Sequence, residues 1–123
     1  MSNERYFLDT FFVIALLNPR DQAHDDARQW LGRTRAAKEV WTTDIVLIEI
    51  ADSLSATARE AAVEFVRSFG FNVNARIARM SADLLDRGLA LYQSRQDKTW
   101  GLTDCISFVV MEEQGLHDAL TAD

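Results

Sequence analysis

The chain has 123 residues, 48% of them hydrophobic and 26% charged, a size and balance typical of one soluble globular domain. Its formal net charge of −6 excludes a protein that holds nucleic acid through a broad basic face. The apolar run at residues 11–17 is shorter than the ~20 residues of a membrane span, and no basic segment precedes it as in a signal peptide. We therefore expect a cytoplasmic protein in which the single cysteine, Cys105, is a buried structural thiol.

The first predicted elements place an acid at the end of a strand. Residues 5–8 form an apolar run that ends at Asp9, which predicts a buried strand with a carboxylate at its carboxyl end. Thr10 is the predicted cap of a helix over residues 11–17. A second helix is predicted over residues 21–38, because its apolar positions recur at helical spacing.

A second strand leads into a helix with a misplaced charge. Residues 39–42 predict the strand, and Thr43 or Asp44 is the expected cap of a helix over residues 45–54. Glu49 stands in that helix among apolar neighbours on both sides. A carboxylate in such surroundings needs a partner, because a buried unpaired charge costs several kcal/mol.

Helix and strand continue to alternate in the second half of the chain. Residues 56–69 predict an amphipathic helix that ends at Gly70. Residues 71–77 alternate apolar and polar side chains, which predicts a strand. Ser81 is then the predicted cap of a helix that ends at about residue 94.

The following helix carries an acid at its start and is apolar on nearly every face. Thr103 is its predicted N-cap, Asp104 lies in its first turn and Gly115 ends it. An ionised carboxylate there gains ~0.3–1 kcal/mol from the helix dipole, but its burial without a partner costs several kcal/mol. The helix offers no Lys or Arg, so we expect a cation shared with other carboxylates.

The final element brings a fourth acid to the same end of the fold. Residues 116–121 predict a strand that would present Asp123 near its carboxyl end. Strands that alternate with helices predict a parallel sheet with helices on both faces, and ligands bind beyond the carboxyl ends of such strands. Asp9, Asp104 and Asp123 can meet at that edge, and Glu49 can join them if its helix packs across it.

An all-oxygen set of ligands points to a particular chemistry. Carboxylates with no His or Cys among them favour Mg²⁺ or Mn²⁺ over zinc. Ions held in this way activate a water for attack on a phosphodiester and stabilise the leaving oxygen. The residues after the first strand exclude two other phosphate chemistries, because Asp-Thr-Phe-Phe replaces a glycine-rich turn and Phe11 breaks an Asp-x-Asp pair. We expect His24 and His117 to be surface residues or residues with satisfied hydrogen bonds rather than catalytic ones.

Four segments in chain order carry a resemblance to a known family. They are Phe-Leu-Asp-Thr at residues 7–10, Leu-Ile-Glu-Ile-Ala at 47–51, Asp-Lys-Thr-Trp-Gly-Leu-Thr-Asp-Cys-Ile-Ser-Phe at 97–108 and Ala-Leu-Thr-Ala-Asp at 119–123. Together they resemble the PIN-domain family, close to the VapC-type toxin ribonucleases, and the third segment is the most specific. The resemblance implies a three-layer α/β/α fold with a mostly parallel central sheet. It also implies a single PIN domain over residues 1–123, which stops short of the family's C-terminal strand.

The resemblance also implies an activity and its residues. The activity is Mg²⁺- or Mn²⁺-dependent cleavage of RNA phosphodiesters by the toxin of a type II toxin–antitoxin pair, a homodimer with a small antitoxin as partner. Asp97 is either a substrate-side residue or a loop cap. The acidic quartet around the metal corresponds to Asp9, Glu49, Asp104 and Asp123, and the hydroxyl residues near it to Thr10 and Ser107.

Two alternatives stay open at this stage. One is a PIN-fold binding or assembly module without catalysis, although the four retained acids favour an enzyme. The other is a housekeeping RNA-processing nuclease, which the neighbouring gene would distinguish from a toxin. We expect the aromatic residues Trp30, Trp41 and Phe69 to serve the core and a dimer contact rather than base stacking.

Overall fold

A four-stranded parallel sheet forms the centre of the protein in the computed structural model, which describes residues 2–121. Its strands lie in the order β3-β2-β1-β4. Strands β2 and β3 are thus added on one side of β1, and β4 is added on the other side of β1. Such a reversal creates a ligand-binding crevice at the carboxyl ends of the two strands concerned, β1 and β4. The strands are β1 (Arg5–Leu8), β2 (Glu39–Thr43), β3 (Ala75–Ala78) and β4 (Ala119–Leu120).

Seven α-helices flank the sheet in the described part of the chain, and they complete the three-layer α/β/α fold expected from the sequence. Strand β1 shows why both faces must be covered, because Tyr6, Phe7 and Leu8 are all buried although successive side chains point to opposite faces. The helices are α1 (Thr10–Leu17), α2 (His24–Gln29), α3 (Leu31–Ala36), α4 (Asp44–Ser53), α5 (Arg59–Ser68), α6 (Ala82–Ser94) and α7 (Leu102–Gln114). No helix among these residues is long and apolar enough to cross a membrane.

The core joins the sheet to helices from both halves of the chain. Helix α7 packs on α6 at Gly88, where an added Cβ would lie 2.6 Å from Cγ1 of Ile106. Only glycine allows this close approach without a shift of one helix. The contact fixes α7 and thereby the acid at its start. The largest fully buried apolar side chains of the protein are Phe7, Ile50, Leu54, Val13 and Val46.

The helix predicted over residues 21–38 is interrupted. Its first residue, Asp21, forms a turn in which its Oδ1 accepts a hydrogen bond from the backbone N–H of Ala23 at 2.9 Å. The chain then forms two short helices that are separated at Trp30. An Asp side chain that bonds to a nearby backbone group competes with helix formation, which explains why the helix begins late.

Two predicted strands are shorter than expected. The stretch at residues 69–71 is a 3₁₀ helix, and Phe71 and Val73 are 88% and 86% exposed. Their alternation with polar residues therefore reflects no sheet, and pairing with β2 begins only where Ala75 lies opposite Val40. The last strand, predicted over residues 116–121, is limited to Ala119–Leu120 within the described residues.

Most helix boundaries follow their local sequence. Thr43 caps α4 by accepting a hydrogen bond from the N–H of Val46 at 3.0 Å, as predicted. Ser81 caps α6 in the same way through the N–H of Leu84 at 3.1 Å. Gly115 ends α7 with a φ of 66°, a left-handed conformation that favours glycine.

Candidate metal centre

Asp9 lies at the carboxyl end of β1, in the crevice between β1 and β4. It occupies the N-cap position of α1, so Thr10 is the first helical residue rather than the cap predicted from the sequence. The backbone N–H of Asp9 donates to the carbonyl of Leu120 at 3.0 Å, and its Oδ2 accepts a hydrogen bond from Oγ1 of Thr121 at 3.0 Å. The last strand therefore holds both the backbone and the carboxylate of Asp9 in place.

Asp104 lies in the first turn of α7 and is also oriented by the backbone. The N-cap of α7 is Gly101, so the prediction of Thr103 as the cap is wrong. The reason is that Asp104 Oδ2 accepts a hydrogen bond from the N–H of Gly101 at 3.0 Å, which begins the helix two residues earlier. Asp104 forms no ion pair with any described Lys or Arg.

The two carboxylates share one cavity of about 200 Å³. Ser107, one turn after Asp104 on α7, contributes a hydroxyl to the same wall. No Lys, Arg or His belongs to the described lining. The remaining lining residues are Phe7, Trp100, Phe108, Met111, Ala119 and Thr121.

Two buried hydroxyl groups near the acids lack a hydrogen-bond partner. Thr10 is 1% exposed and Ser107 is 5% exposed, and neither Thr10 Oγ1 nor Ser107 Oγ is hydrogen-bonded within the described structure. A buried polar group without a partner costs about 1–3 kcal/mol, so such groups call for a ligand or an ion. Of these two hydroxyls only that of Ser107 lines the described cavity; together with the two carboxylates it offers oxygen donors, which fit Mg²⁺ or Mn²⁺.

The other two predicted acids are placed differently. Glu49 is half-buried on α4, makes no side-chain hydrogen bond or ion pair within residues 2–121 and is not part of the cavity lining. Asp123 lies outside the described residues. Within residues 2–121, no three His, Cys, Asp or Glu side chains are close enough together to hold a metal. The roles of all four acids in metal binding and catalysis remain predictions.

Asp97, predicted to be either a substrate-side residue or a loop cap, forms an ion pair with a residue of its own loop. Its carboxylate accepts two hydrogen bonds from Nε and Nη2 of Arg95, both at 3.0 Å, and the side chain is 61% exposed. The Arg95 guanidinium lowers the pKa of the Asp97 carboxyl. This ion pair steadies the polar loop that leads from α6 into α7.

The thiol beside Asp104 is structural. Cys105 is buried, as expected from its place in an apolar helix. Burial raises the pKa of the Cys105 thiol, and the charge of Asp104 raises it further. A thiol kept protonated in this way is a poor nucleophile and a poor metal ligand.

Several residues of the cavity wall could not be predicted from the sequence, because they carry no charge and correspond to no functional residue of the family. Thr121 lies two positions before the fourth acid, and only the pairing of β1 with β4 brings it to Asp9. Trp100 and Phe108 stand in the most specific of the matched segments, yet nothing in their spacing indicates that they face the acids. Their shared position in the cavity wall is a result of the tertiary structure.

The fold and its paired acids define a class of protein, and the PIN-domain family model matches residues 6–123. The chain belongs to the PIN-domain family. It is similar to a VapC toxin from Mycobacterium tuberculosis, VapC20, described as a Sarcin-Ricin loop cleaving toxin. The two share 26% sequence identity and a TM-score of 0.86, and the match covers 96% of this chain and 89% of VapC20.

A second structure shares the fold at lower identity. It is VapBC2 from Rickettsia felis bound to a DNA fragment from their promoter, with 15% identity, a TM-score of 0.60 and coverage of 97% of this chain and 99% of the other. Among curated protein sequences, no significant match to this chain was found.

Proposed function

We propose that the protein is a metal-dependent endoribonuclease that hydrolyses RNA phosphodiesters as the toxin of a type II toxin–antitoxin pair. The observation that carries this proposal is the meeting of Asp9 and Asp104 in one cavity. These acids are far apart in the chain, and no Lys, Arg or His belongs to the described walls of the cavity. Membership of the PIN family and the similarity to VapC20 support the same activity.

In this proposal the carboxylates of Asp9 and Asp104 are the principal ligands of Mg²⁺ or Mn²⁺, and Glu49 and Asp123 complete the site. A bound divalent cation would supply charge neutralisation and Lewis acidity at the scissile phosphate. The chain supplies the orientation, because the Thr121 hydroxyl aims the Asp9 carboxylate and a backbone N–H aims the Asp104 carboxylate. Ligands held by such contacts lose little freedom on binding the ion.

The proposed substrate is an RNA with an unpaired loop. VapC20 is described as cleaving the Sarcin-Ricin loop, and an RNA hairpin of that loop is therefore the first substrate to test. Because the net charge is −6, contacts with the phosphate chain must be local. Arg95 and Lys98, in the loop before α7, are basic side chains that lie close to the Trp100 ring of the cavity wall.

The partners follow from the same similarity. We propose a homodimer and a small antitoxin as partner, acting in the cytoplasm.

Of the aromatic residues predicted to serve the core, Phe69 is buried in it, and Trp30 and Trp41 are half-buried and pack against it. Ile48 and Phe71 are instead exposed and line a groove beside α4, so they are the better candidates for a subunit contact. Light scattering at micromolar concentration should give twice the chain mass, and a monomer would refute the dimer.

The decisive experiment is RNA cleavage with and without the ion. The purified chain should cleave a hairpin of the Sarcin-Ricin loop in Mg²⁺ or Mn²⁺ and stop in EDTA. Asp9→Asn should lower cleavage by about 100-fold or more, since one ligand charge is lost while the side-chain shape is kept. Asp118→Asn is the matched control, because Asp118 is an exposed acid beside β4 that lines a different cavity. Cleavage that persists in EDTA would overturn the proposal.

A further inference from the structure

An aromatic pair forms part of the wall of the cavity that holds Asp9 and Asp104. The ring centroids of Trp100 and Phe108 are 4.7 Å apart, with an angle of 65° between the rings. Phe108 is 37% exposed although it lies on a helix whose other apolar residues are largely buried. An exposed ring beside the acids is not explained by packing of the core.

Two cations flank the same pair. Cζ of Arg95 lies 5.1 Å from the centroid of the Trp100 ring, and Nζ of Lys98 lies 5.7 Å from it. Asp97 holds Arg95 from the other side, whereas Lys98 forms no ion pair with any described acid. Phe108 is exposed and Trp100 is half-buried. Positive charge next to accessible rings is the combination by which proteins bind single-stranded nucleic acid, through phosphates and stacked bases.

A second tryptophan with an arginine shows what a purely structural version looks like. Cζ of Arg33 lies 4.4 Å from the Trp30 ring, but the guanidinium is neutralised by Glu4, with Nη2 2.5 Å from Oε2. Trp30 is also packed edge-on against Tyr6, which is buried. Of these two sites, the one at Trp100 and Phe108 has an exposed ring and a nearby lysine that forms no described ion pair. It also lines the same cavity as the candidate metal ligands.

We propose that Trp100 and Phe108 form a stacking platform for an unpaired base of the RNA, that Lys98 neutralises a phosphate, and that Arg95, held by Asp97, supports the Trp100 ring. A base held there places the adjoining phosphodiester next to Asp9 and Asp104. The inference rests on the proposed ribonuclease function and adds to it the requirement for a single-stranded nucleotide beside the scissile bond. The four residues thus act in binding and positioning, and the acids carry the chemistry.

The test measures binding without turnover. A fluorescein-labelled single-stranded RNA of six nucleotides is titrated with the protein in EDTA, and the dissociation constant is read from fluorescence anisotropy. Trp100→Leu and Phe108→Leu should each weaken binding about tenfold, the order expected for one lost stacking contact. Trp100→Phe should keep most of the affinity, because a ring remains. Trp30→Leu is the matched control and should bind like the unsubstituted chain.

A complementary series leaves the protein unchanged. Replacing one nucleotide at a time by an abasic residue should weaken binding at one position, where the base that stacks on the platform is lost. This series decides the question even if a leucine variant fails to fold. Equal binding of all abasic RNAs, or unaltered affinity of folded Trp100→Leu and Phe108→Leu, would overturn the platform.

The two proposals fail in different ways. If the chain binds the RNA through Trp100 but cleaves nothing in Mg²⁺ or Mn²⁺, the platform stands as a binding site and the ribonuclease proposal falls. If the chain cleaves RNA while both leucine variants bind and cleave as it does, the ribonuclease proposal stands and the platform falls.

Discussion

Glu39 at the amino edge of the sheet and Asp104 near its carboxyl edge are held in opposite ways. At the amino edge, Glu39 opens β2, and its Oε1 accepts hydrogen bonds from Nε of Arg5 at 2.7 Å and Nε1 of Trp41 at 3.0 Å. Its Oε2 lies 3.7 Å from Nε of Arg76 on the next strand. At the carboxyl edge, Asp104 accepts a hydrogen bond from a backbone N–H and pairs with no described cation.

Glu39 thus carries a charge that stabilises the fold, whereas Asp104 carries a charge that we propose binds a metal ion. The Trp41 hydrogen bond, followed by that of Arg5, lowers the pKa of the Glu39 carboxyl, so its ionised form is stabilised by the native structure. Asp9 and Asp104 line a cavity whose described walls are otherwise apolar or hydroxylic. Because Asp104 pairs with no described cation, we expect the fold to gain stability when a cation binds beside it.

The largest expected effect is the loss of metal-linked stability on Asp104→Asn. For the unsubstituted chain, Mn²⁺ at 100 times its dissociation constant should add about 2.7 kcal/mol to the free energy of unfolding, by mass action. Asn keeps an oxygen for the N–H of Gly101 but removes the charge, so most of this gain should vanish. Melting temperatures of the unsubstituted chain and of Asp104→Asn, with and without Mn²⁺, measure this gain. An equal rise in both proteins would show that the Asp104 charge does not bind the ion.

The next effect concerns the amino edge. Glu39→Gln should lower the free energy of unfolding by about 1 kcal/mol, since charged hydrogen bonds to Arg5 and Trp41 are weakened. The melting temperature should fall by about 4 °C. RNA cleavage should not change, because Glu39 is far from the acids of the cavity along the strand direction.

The same variant tests the pH dependence. The pKa of Glu39 is lowered in the folded protein from its ordinary 4.5, so its contribution is complete above that value. It is lost as the pH falls through the lower folded pKa. Urea unfolding between pH 7 and pH 3 should therefore show a smaller acid-side loss in Glu39→Gln than in the unsubstituted chain. Parallel curves would show that Glu39 is not stabilised in its ionised form.

The smallest effect contrasts two buried hydroxyls. Thr43 caps α4, so Thr43→Ala should cost about 1 kcal/mol. Ser107 Oγ has no hydrogen-bond partner among the described residues, so Ser107→Ala should leave the free energy of unfolding without metal unchanged or raise it. Urea titrations in EDTA measure both. A cost for Ser107→Ala equal to that for Thr43→Ala would mean that the hydroxyl serves the fold.

Local patterns in the sequence were sufficient where neighbouring residues decide the structure. The run before Asp9 predicted β1, the caps of α4 and α6 were identified at Thr43 and Ser81, and Gly115 marked the end of α7. For the two caps and Gly115, the hydrogen bond or backbone conformation involves residues at most four positions apart. The parallel α/β/α fold followed from the alternation of these elements.

Tertiary contacts decided what local patterns cannot express. The start of β3 depends on pairing with β2, and the hydrogen bond between Asp9 and Thr121 joins residues 112 positions apart. The acids could be named from the sequence because charge in an apolar segment is conspicuous. The cavity that gathers Asp9, Asp104 and the Trp100–Phe108 pair exists only because β4 returns to the side of β1, which no short segment of the chain encodes.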